Sequence, residues 1–279
     1  MSPMQFPEFI APMSTEQFRQ DYYGVRPLHV PAGQSGHSRS NLLSSERLGE
    51  LLSAPSHWSE ESLKVILNSA PVLPEFYLGE VSGPPRGGRA NAAKLQMFVD
   101  MGASLVANYL EDIAPEIREL TSMLGAELGG KAGANAYASS KDIRAFETHC
   151  DLHEVFAVQT EGVKTWRIYR NRAESPVETL EGPDAQELIH RVKGPIEMTV
   201  EMKPGDLLYI PRGFYHDALA NSEKSLHLTI AVRPLDGRFV FHMLEELATR
   251  DRDFRDYLPD SRSHSGLICR SSSSDSLTR

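Results

Sequence analysis

Three residues in this chain could together hold a metal ion. The stretch Glu147-Thr148-His149-Cys150-Asp151-Leu152-His153-Glu154-Val155-Phe156 sets an imidazole and a carboxylate two positions apart. It reads as a strand, and alternation then turns His149 and Asp151 to the same face. Pro211-Arg212-Gly213-Phe214-Tyr215-His216 follows a second strand-like run, Asp206-Leu207-Leu208-Tyr209-Ile210, and offers a third ligand in His216. Two histidines and one carboxylate make a facial set that suits non-haem iron(II) and leaves further coordination positions open. A His-x-Asp pair is common by chance, so its surroundings have to decide.

Those surroundings are β-rich. Val155-Phe156-Ala157-Val158-Gln159-Thr160 and Lys164-Thr165-Trp166-Arg167-Ile168-Tyr169 are aromatic and β-branched runs on either side of Glu161-Gly162, a hairpin pattern. From residue 134 to 234 strand signals follow one another, interrupted by a short helical insert at 184–190. Upstream, 114–124 has apolar residues at helical spacing and is ended by Gly129-Gly130. Before about residue 110 the chain reads as helical and short extended pieces. Residues 239–248 read as an amphipathic closing helix, and beyond Pro259 the polar tail with Ser271-Ser272-Ser273-Ser274 is expected to be disordered. The predicted organisation is an N-terminal part of the catalytic domain (1–110), a barrel core (111–235), a C-terminal helix (236–258) and a tail (259–279).

Composition narrows the setting. With 279 residues, 40% of them hydrophobic, the chain can bury a substantial core. No apolar run approaches the roughly 20 residues of a membrane span, and the N-terminus lacks the pattern of a secretory signal. Two cysteines, Cys150 and Cys269, do not suggest a disulfide framework, so a reducing, cytoplasmic setting is expected. A net charge of −9 argues against general nucleic-acid binding, which needs clustered cations. One local exception is the Gly- and Pro-rich loop from Gly83 to Asn91, whose Arg86 and Arg89 could meet a carboxylate-bearing substrate, although a plain connector is the commoner fate of such loops.

As a set, the motifs resemble the cupin-like Jumonji C oxygenases, in particular their ribosomal-oxygenase branch. The resemblance rests on His149-x-Asp151-x-His153-Glu154-Val155-Phe156, on Gln159-x-x-Gly162-x-Lys164-x-Trp166, on Pro211-x-Gly213-x-x-His216 and on Ser225-x-His227-x-Thr229, all in family order. With looser matches at 15–30 and at Asn135-Ala136-Tyr137-Ala138-Ser139-Ser140, it spans roughly residues 15–235. It implies a mainly β fold with flanking helices, a double-stranded β-helix or jelly roll. It also implies a 2-oxoglutarate-dependent dioxygenase in which His149, Asp151 and His216 bind Fe(II), 2-oxoglutarate chelates the iron, O₂ takes the last position, and a substrate C–H becomes C–OH.

The resemblance assigns Lys164 to the far carboxylate of 2-oxoglutarate, with Thr229, Tyr137 and Asn135 as further hydrogen-bonding candidates. His153 shares parity with the ligands and is a candidate for substrate contact. His227 reads as a core or supporting residue, Trp166 and Tyr169 as core aromatics, and Cys150 as a small buried residue. After residue 235 the chain departs from the ribosomal-oxygenase pattern, leaving no room for a winged-helix domain and little for a dimerisation module. With the acidic charge, this makes a basic ribosomal protein doubtful as substrate. The expected substrate is an amino-acid side chain in a peptide or protein, or a free or carrier-bound amino acid, with a homodimer left open. Two alternatives stand: a metal-binding cupin that does not use 2-oxoglutarate, and a non-catalytic Jumonji-like binding module.

Overall fold

The structure is a computed structural model that describes residues 4–33, 39–53, 57–67, 70–79, 88–139, 147–180, 182, 184–222 and 224–257. Arg86, most of the 83–91 loop, Cys269 and the serine-rich tail lie outside the described residues. Among the described residues up to 234 there are thirteen strands: β1 (Leu28–Val30), β2 (Leu63–Leu67), β3 (Ala70–Pro71), β4 (Leu78–Gly79), β5 (Arg89–Ala90), β6 (Ser104–Ala107), β7 (Gly130–Ser139), β8 (Glu154–Glu161), β9 (Lys164–Arg172), β10 (Ile196–Met202), β11 (Leu207–Ile210), β12 (Phe214–Ala220) and β13 (Ser225–Pro234). An eight-stranded sheet runs β1-β11-β8-β13-β7-β6-β2-β3, a second runs β10-β9-β12, and β4 pairs with β5. All the pairings are antiparallel.

From β8 onward the chain passes back and forth between the two larger sheets, which is the jelly-roll arrangement. This corrects one sequence expectation. β8 and β9 are not a hairpin: β8 pairs with β11 and β13, whereas β9 pairs with β10 and β12. The turn between them crosses from one sheet to the other. Gly162 makes the crossing at φ +67, and a Cβ there would collide with the carbonyl oxygen of Lys224. Alternating residues account for the layering. Val155 and Ala157 of β8 pack with Trp166, Ile168, Leu208 and Ile210 in one core, while Phe156 and Val158 belong to the other.

That second core is closed by helices. Helix α1 (Phe6–Ile10) and helix α2 (Thr15–Asp21), the latter capped by the Ser14 hydroxyl, bring Phe9 and Phe18 against Phe156 and Tyr209. Helix α3 (Ser45–Leu52) and helix α4 (Ala92–Asp100) add Leu48, Leu51, Leu95 and Phe98. Helix α5 (Pro115–Leu128) starts on a proline and ends at Gly129 in the left-handed conformation. Helix α6 (Ala185–Val192) fills the insert expected between β9 and β10. Residues from Leu235 onward form a separate compact unit, containing helix α7 (Gly237–Ala248), capped by the Asp236 carboxylate, and the short helix α8 (Arg252–Arg255). Among the described residues no helix is long and apolar enough to cross a membrane.

Arg39, fully buried, ties the N-terminal segments to the barrel. Its guanidinium donates to the carbonyls of Gly205 (2.8 Å), Phe9 (3.1 Å), Ala11 (2.9 Å) and Pro31 (3.1 Å). A planar fork with five donors can satisfy four acceptors at once, which an ammonium cannot. Arg39→Met should therefore lower the free energy of unfolding by at least about 3 kcal/mol, because buried carbonyls lose their partners, and Arg39→Lys should recover little of it. Urea unfolding of the three proteins checks both outcomes.

Candidate metal centre

His216 sits on β12, 3% exposed, opposite Ile168 of β9. The other two ligands do not lie on a regular strand, as the sequence suggested, but on an irregular arm that leads into β8. This arm meets β12 through an isolated antiparallel bridge: His149 N–H donates to the His216 carbonyl (3.1 Å) and His216 N–H to the His149 carbonyl (2.8 Å). Gly213 N–H adds a bond to the Asp151 carbonyl (3.0 Å). The pairing explains why alternation still works for two ligands outside a sheet. It gathers ligand atoms of His149, Asp151 and His216 within 4.8 Å of one another.

The ring orientations suit a metal. Nδ1 of His149 lies 2.8 Å from the Glu147 carbonyl, and Nδ1 of His216 lies 2.9 Å from the Phe214 carbonyl. A carbonyl can only accept, so both Nδ1 atoms carry the proton and Nε2 is the nitrogen presented for coordination. Asp151 Oδ2 is 3.3 Å from His216 Nε2. Burial pulls the His216 pKa down, but the hydrogen bond to Asp151 and its charge outweigh it, leaving His216 above its usual value. Burial would raise Asp151, yet the same bond holds it well below the usual carboxylate range. His149 is lowered by burial and by the neighbouring imidazole. The donor set, one carboxylate and two imidazoles on one face, fits a non-haem iron(II) ion.

These residues open into a cavity of about 400 Å³. Lys164, the first residue of β9 and 3% exposed, lies on its wall. Its Nζ is 3.4 Å from Nδ1 of His227, and among the described residues no carboxylate pairs with it. Burial brings its pKa down to about 7. Burial and the adjacent lysine push His227 well below its usual value, so the ring is neutral and can accept from Lys164. Asn135, Tyr137 and Thr229 line the same cavity. β7 and β13 place them as cross-strand pairs, Tyr137 opposite His227 and Asn135 opposite Thr229. Tyr137 stacks on His227 (4.7 Å, 5°), and burial, followed by the charge of Asp151, raises its hydroxyl to about 12.

The structure thus brings His149, Asp151, His216, Lys164, Asn135, Tyr137, Thr229 and His153 around one cavity. His153 is 4.0 Å from Asp151 and partly exposed. Arg89 is exposed in β5 and is not among the cavity-lining residues. Cys150 is half-buried beside Tyr169, Ile189 and Tyr215. Besides the apolar Val155 and Ala218, the cavity is lined by four residues that the sequence did not mark as facing it. His227, expected to be a core or supporting residue, and Trp166, expected to be a core aromatic, both line the cavity, and His227 shares strand parity with Thr229. Trp166 packs near-parallel to His216 (5.9 Å, 28°) and edge-on to His227 (5.4 Å, 82°). Lys64 and Thr179 arrive from β2 and the β9–α6 connection, without any motif.

The JmjC domain family model matches residues 113–238. The bifunctional lysine-specific demethylase and histidyl-hydroxylase NO66 of Drosophila persimilis is 29% identical over 225 residues, covering 80% of this chain and 31% of its own. Ribosomal oxygenase 1 of Rattus norvegicus is 32% identical over 201 residues, 67% of this chain and 33% of its own. The chain therefore spans about a third of the length of these curated relatives. The solved structure of Escherichia coli ribosomal oxygenase YcfD shares the fold, with a TM-score of 0.56 at 17% identity over 90% of this chain and 60% of its own. A structure of YcfD in complex with cobalt and 2-oxoglutarate gives a TM-score of 0.54 at 16% identity, covering 96% and 68%.

Asp151→Ala should lower affinity for Fe(II), or for Mn(II) as an air-stable probe, by more than the roughly 10–100-fold typical of losing a partner outside the ligand set. A wild-type affinity in that variant would remove Asp151 from the site. Because a metal displaces the proton of His216, whose pKa is raised, affinity should climb with pH through that pKa and then level off. Below it the loss is about tenfold per pH unit for one proton. Calorimetric Mn(II) titrations between pH 5.5 and 8.5 read the slope.

Proposed function

Because residues 113–238 form a JmjC domain, we propose that this chain is an Fe(II)- and 2-oxoglutarate-dependent hydroxylase acting on a C–H bond of an amino-acid side chain in a protein or peptide. The observation that carries the reading is one cavity holding both a two-histidine, one-carboxylate face and a buried lysine with no carboxylate partner among the described residues. Such a lysine is costly unless something anionic completes it. A dicarboxylic cosubstrate whose keto-acid end reaches the metal would do so. Neither the cupin without 2-oxoglutarate nor a non-catalytic module gives Lys164 a purpose.

When bound, iron and 2-oxoglutarate would supply the oxidation: O₂ and the keto acid are converted to succinate and CO₂ as the substrate C–H becomes C–OH. The chain's own residues have simpler tasks. His149, Asp151 and His216 would hold the metal through two imidazoles and one carboxylate. Lys164 binds the distal carboxylate, with Asn135, Tyr137 and Thr229 placed to add hydrogen bonds. Trp166 packs against both the His216 and the His227 rings and so braces the cavity wall between them. Lys64, His153 and Thr179 remain to meet the substrate.

A protein substrate is supported by the relatives, whose names describe histidyl hydroxylation, lysine demethylation and ribosomal oxygenation. The net charge of −9, read in the sequence as counting against a basic substrate, is complementary to one and speeds its encounter. A reducing, cytoplasmic setting suits ferrous iron and a chain with two cysteines.

Incubation with Fe(II), 2-oxoglutarate and a panel of peptides and free amino acids should yield a product heavier by one oxygen, with succinate in step; absence of 2-oxoglutarate turnover under all conditions would sink the reading. Lys164→Ala should weaken 2-oxoglutarate by about 2–5 kcal/mol, the cost of losing a buried charged partner, and Lys164→Arg should be milder but still impaired. Binding requires the ammonium form, and burial brings its pKa down to about 7. A bound carboxylate raises that pKa, so binding takes up a proton above pH 7. The dissociation constant for 2-oxoglutarate in the Mn(II) form should thus rise about tenfold per pH unit above 7 until the raised pKa is reached.

A further inference from the structure

The cavity-facing ligands alternate with residues that point to the other face of β12, and there a second cluster joins the two ligand-bearing segments. Asp217, which follows His216, is a carboxylate only 2% exposed. It accepts from the hydroxyl of Thr148, the residue before His149, at 3.0 Å, from Tyr169 Oη at 2.8 Å, and from Arg167 Nε at 2.8 Å and its terminal nitrogen at 2.6 Å. Thr148 is equally buried. Lys193, just past α6, donates to the Thr148 hydroxyl oxygen (3.4 Å) while lying 4.1 Å over the Tyr169 ring, so the hydroxyl proton is directed at Asp217. Gln186 of α6 donates to the Thr148 carbonyl at 3.2 Å.

The arm carrying His149 and Asp151 belongs to no sheet and meets β12 through a single bridge. The Thr148–Asp217 bond is the side-chain counterpart of that bridge, one residue away from a ligand on each side. Arg167 and Tyr169 of β9 hold Asp217 in turn. We infer that Asp217, acting through the Thr148 hydroxyl, is a positioning residue that sets the His149 and Asp151 arm in register with His216 and so fixes the spacing of the metal ligands. This rests on the reading that these three residues bind a metal.

Thr148→Val keeps shape and removes the hydroxyl, and Thr148→Ser keeps the hydroxyl and removes a methyl. Mn(II) dissociation constants, followed by the electron paramagnetic resonance signal of unbound Mn(II), should rise about 10–100-fold in Thr148→Val and stay within about threefold of wild type in Thr148→Ser. At saturating Mn(II), 2-oxoglutarate should still bind both variants, since Lys164 on β9 is untouched. A merely structural role predicts a lower melting temperature with normal Mn(II) affinity in Thr148→Val, and that result overturns the inference. So does a serine variant as impaired as the valine one. Should Thr148→Val not fold, Thr148→Ala carries the same two readings. A wild-type chain that takes up no Mn(II) would instead overturn the metal reading, and the inference with it.

Discussion

Two backbone hydrogen bonds between His149 and His216 are the constraint on which the site depends. A facial set of three ligands needs them on one side and a few ångströms apart, yet two come from an irregular arm and one from β12. The antiparallel bridge sets the separation. Residues opposite one another across such a bridge bring their side chains to the same face. It places the imidazoles with ring centroids 4.6 Å apart and lets Asp151, two residues on, return to that face.

The cavity is built on a division of labour between sheets. The three-stranded sheet supplies His216, Trp166 and Lys164, so its middle and edge strands define both the metal end and the cationic end. The larger sheet supplies Asn135, Tyr137, His227 and Thr229 from two adjacent strands in direct register. A ladder ten residues long between β7 and β13 makes that polar wall rigid. The helices on the outer face, fastened by Arg39 and by the aromatic cluster around Phe18, Phe156 and Tyr209, keep the larger sheet from opening.

Much of this was legible in the chain because local spacing encodes it. Parity placed His149 with Asp151, the family resemblance marked Asn135 and Tyr137, and α5 and α6 showed the expected periodicity. Where reading failed, the missing information was non-local. The run 154–161 has the same composition whether its neighbour is β9 or β11, and a tight turn looks alike whether it folds a hairpin or passes between sheets. Only pairing partners distinguish the two. Lys64 and Thr179 reach the cavity through connections that no pattern announces. Arg39 shows the same limit from the other side: an arginine satisfied by four carbonyls from three distant segments cannot be told from a surface arginine by its neighbours in sequence.

Each ligating imidazole is steered by the carbonyl two residues before it, Glu147 for His149 and Phe214 for His216. This return is completed within three residues of the chain. The rings therefore surrender their torsional freedom when the chain folds rather than when an ion arrives, and little ordering entropy is left to be lost on capture. Such a site behaves as a vessel already cast, its two rings turned toward the place the ion will take before the ion is there.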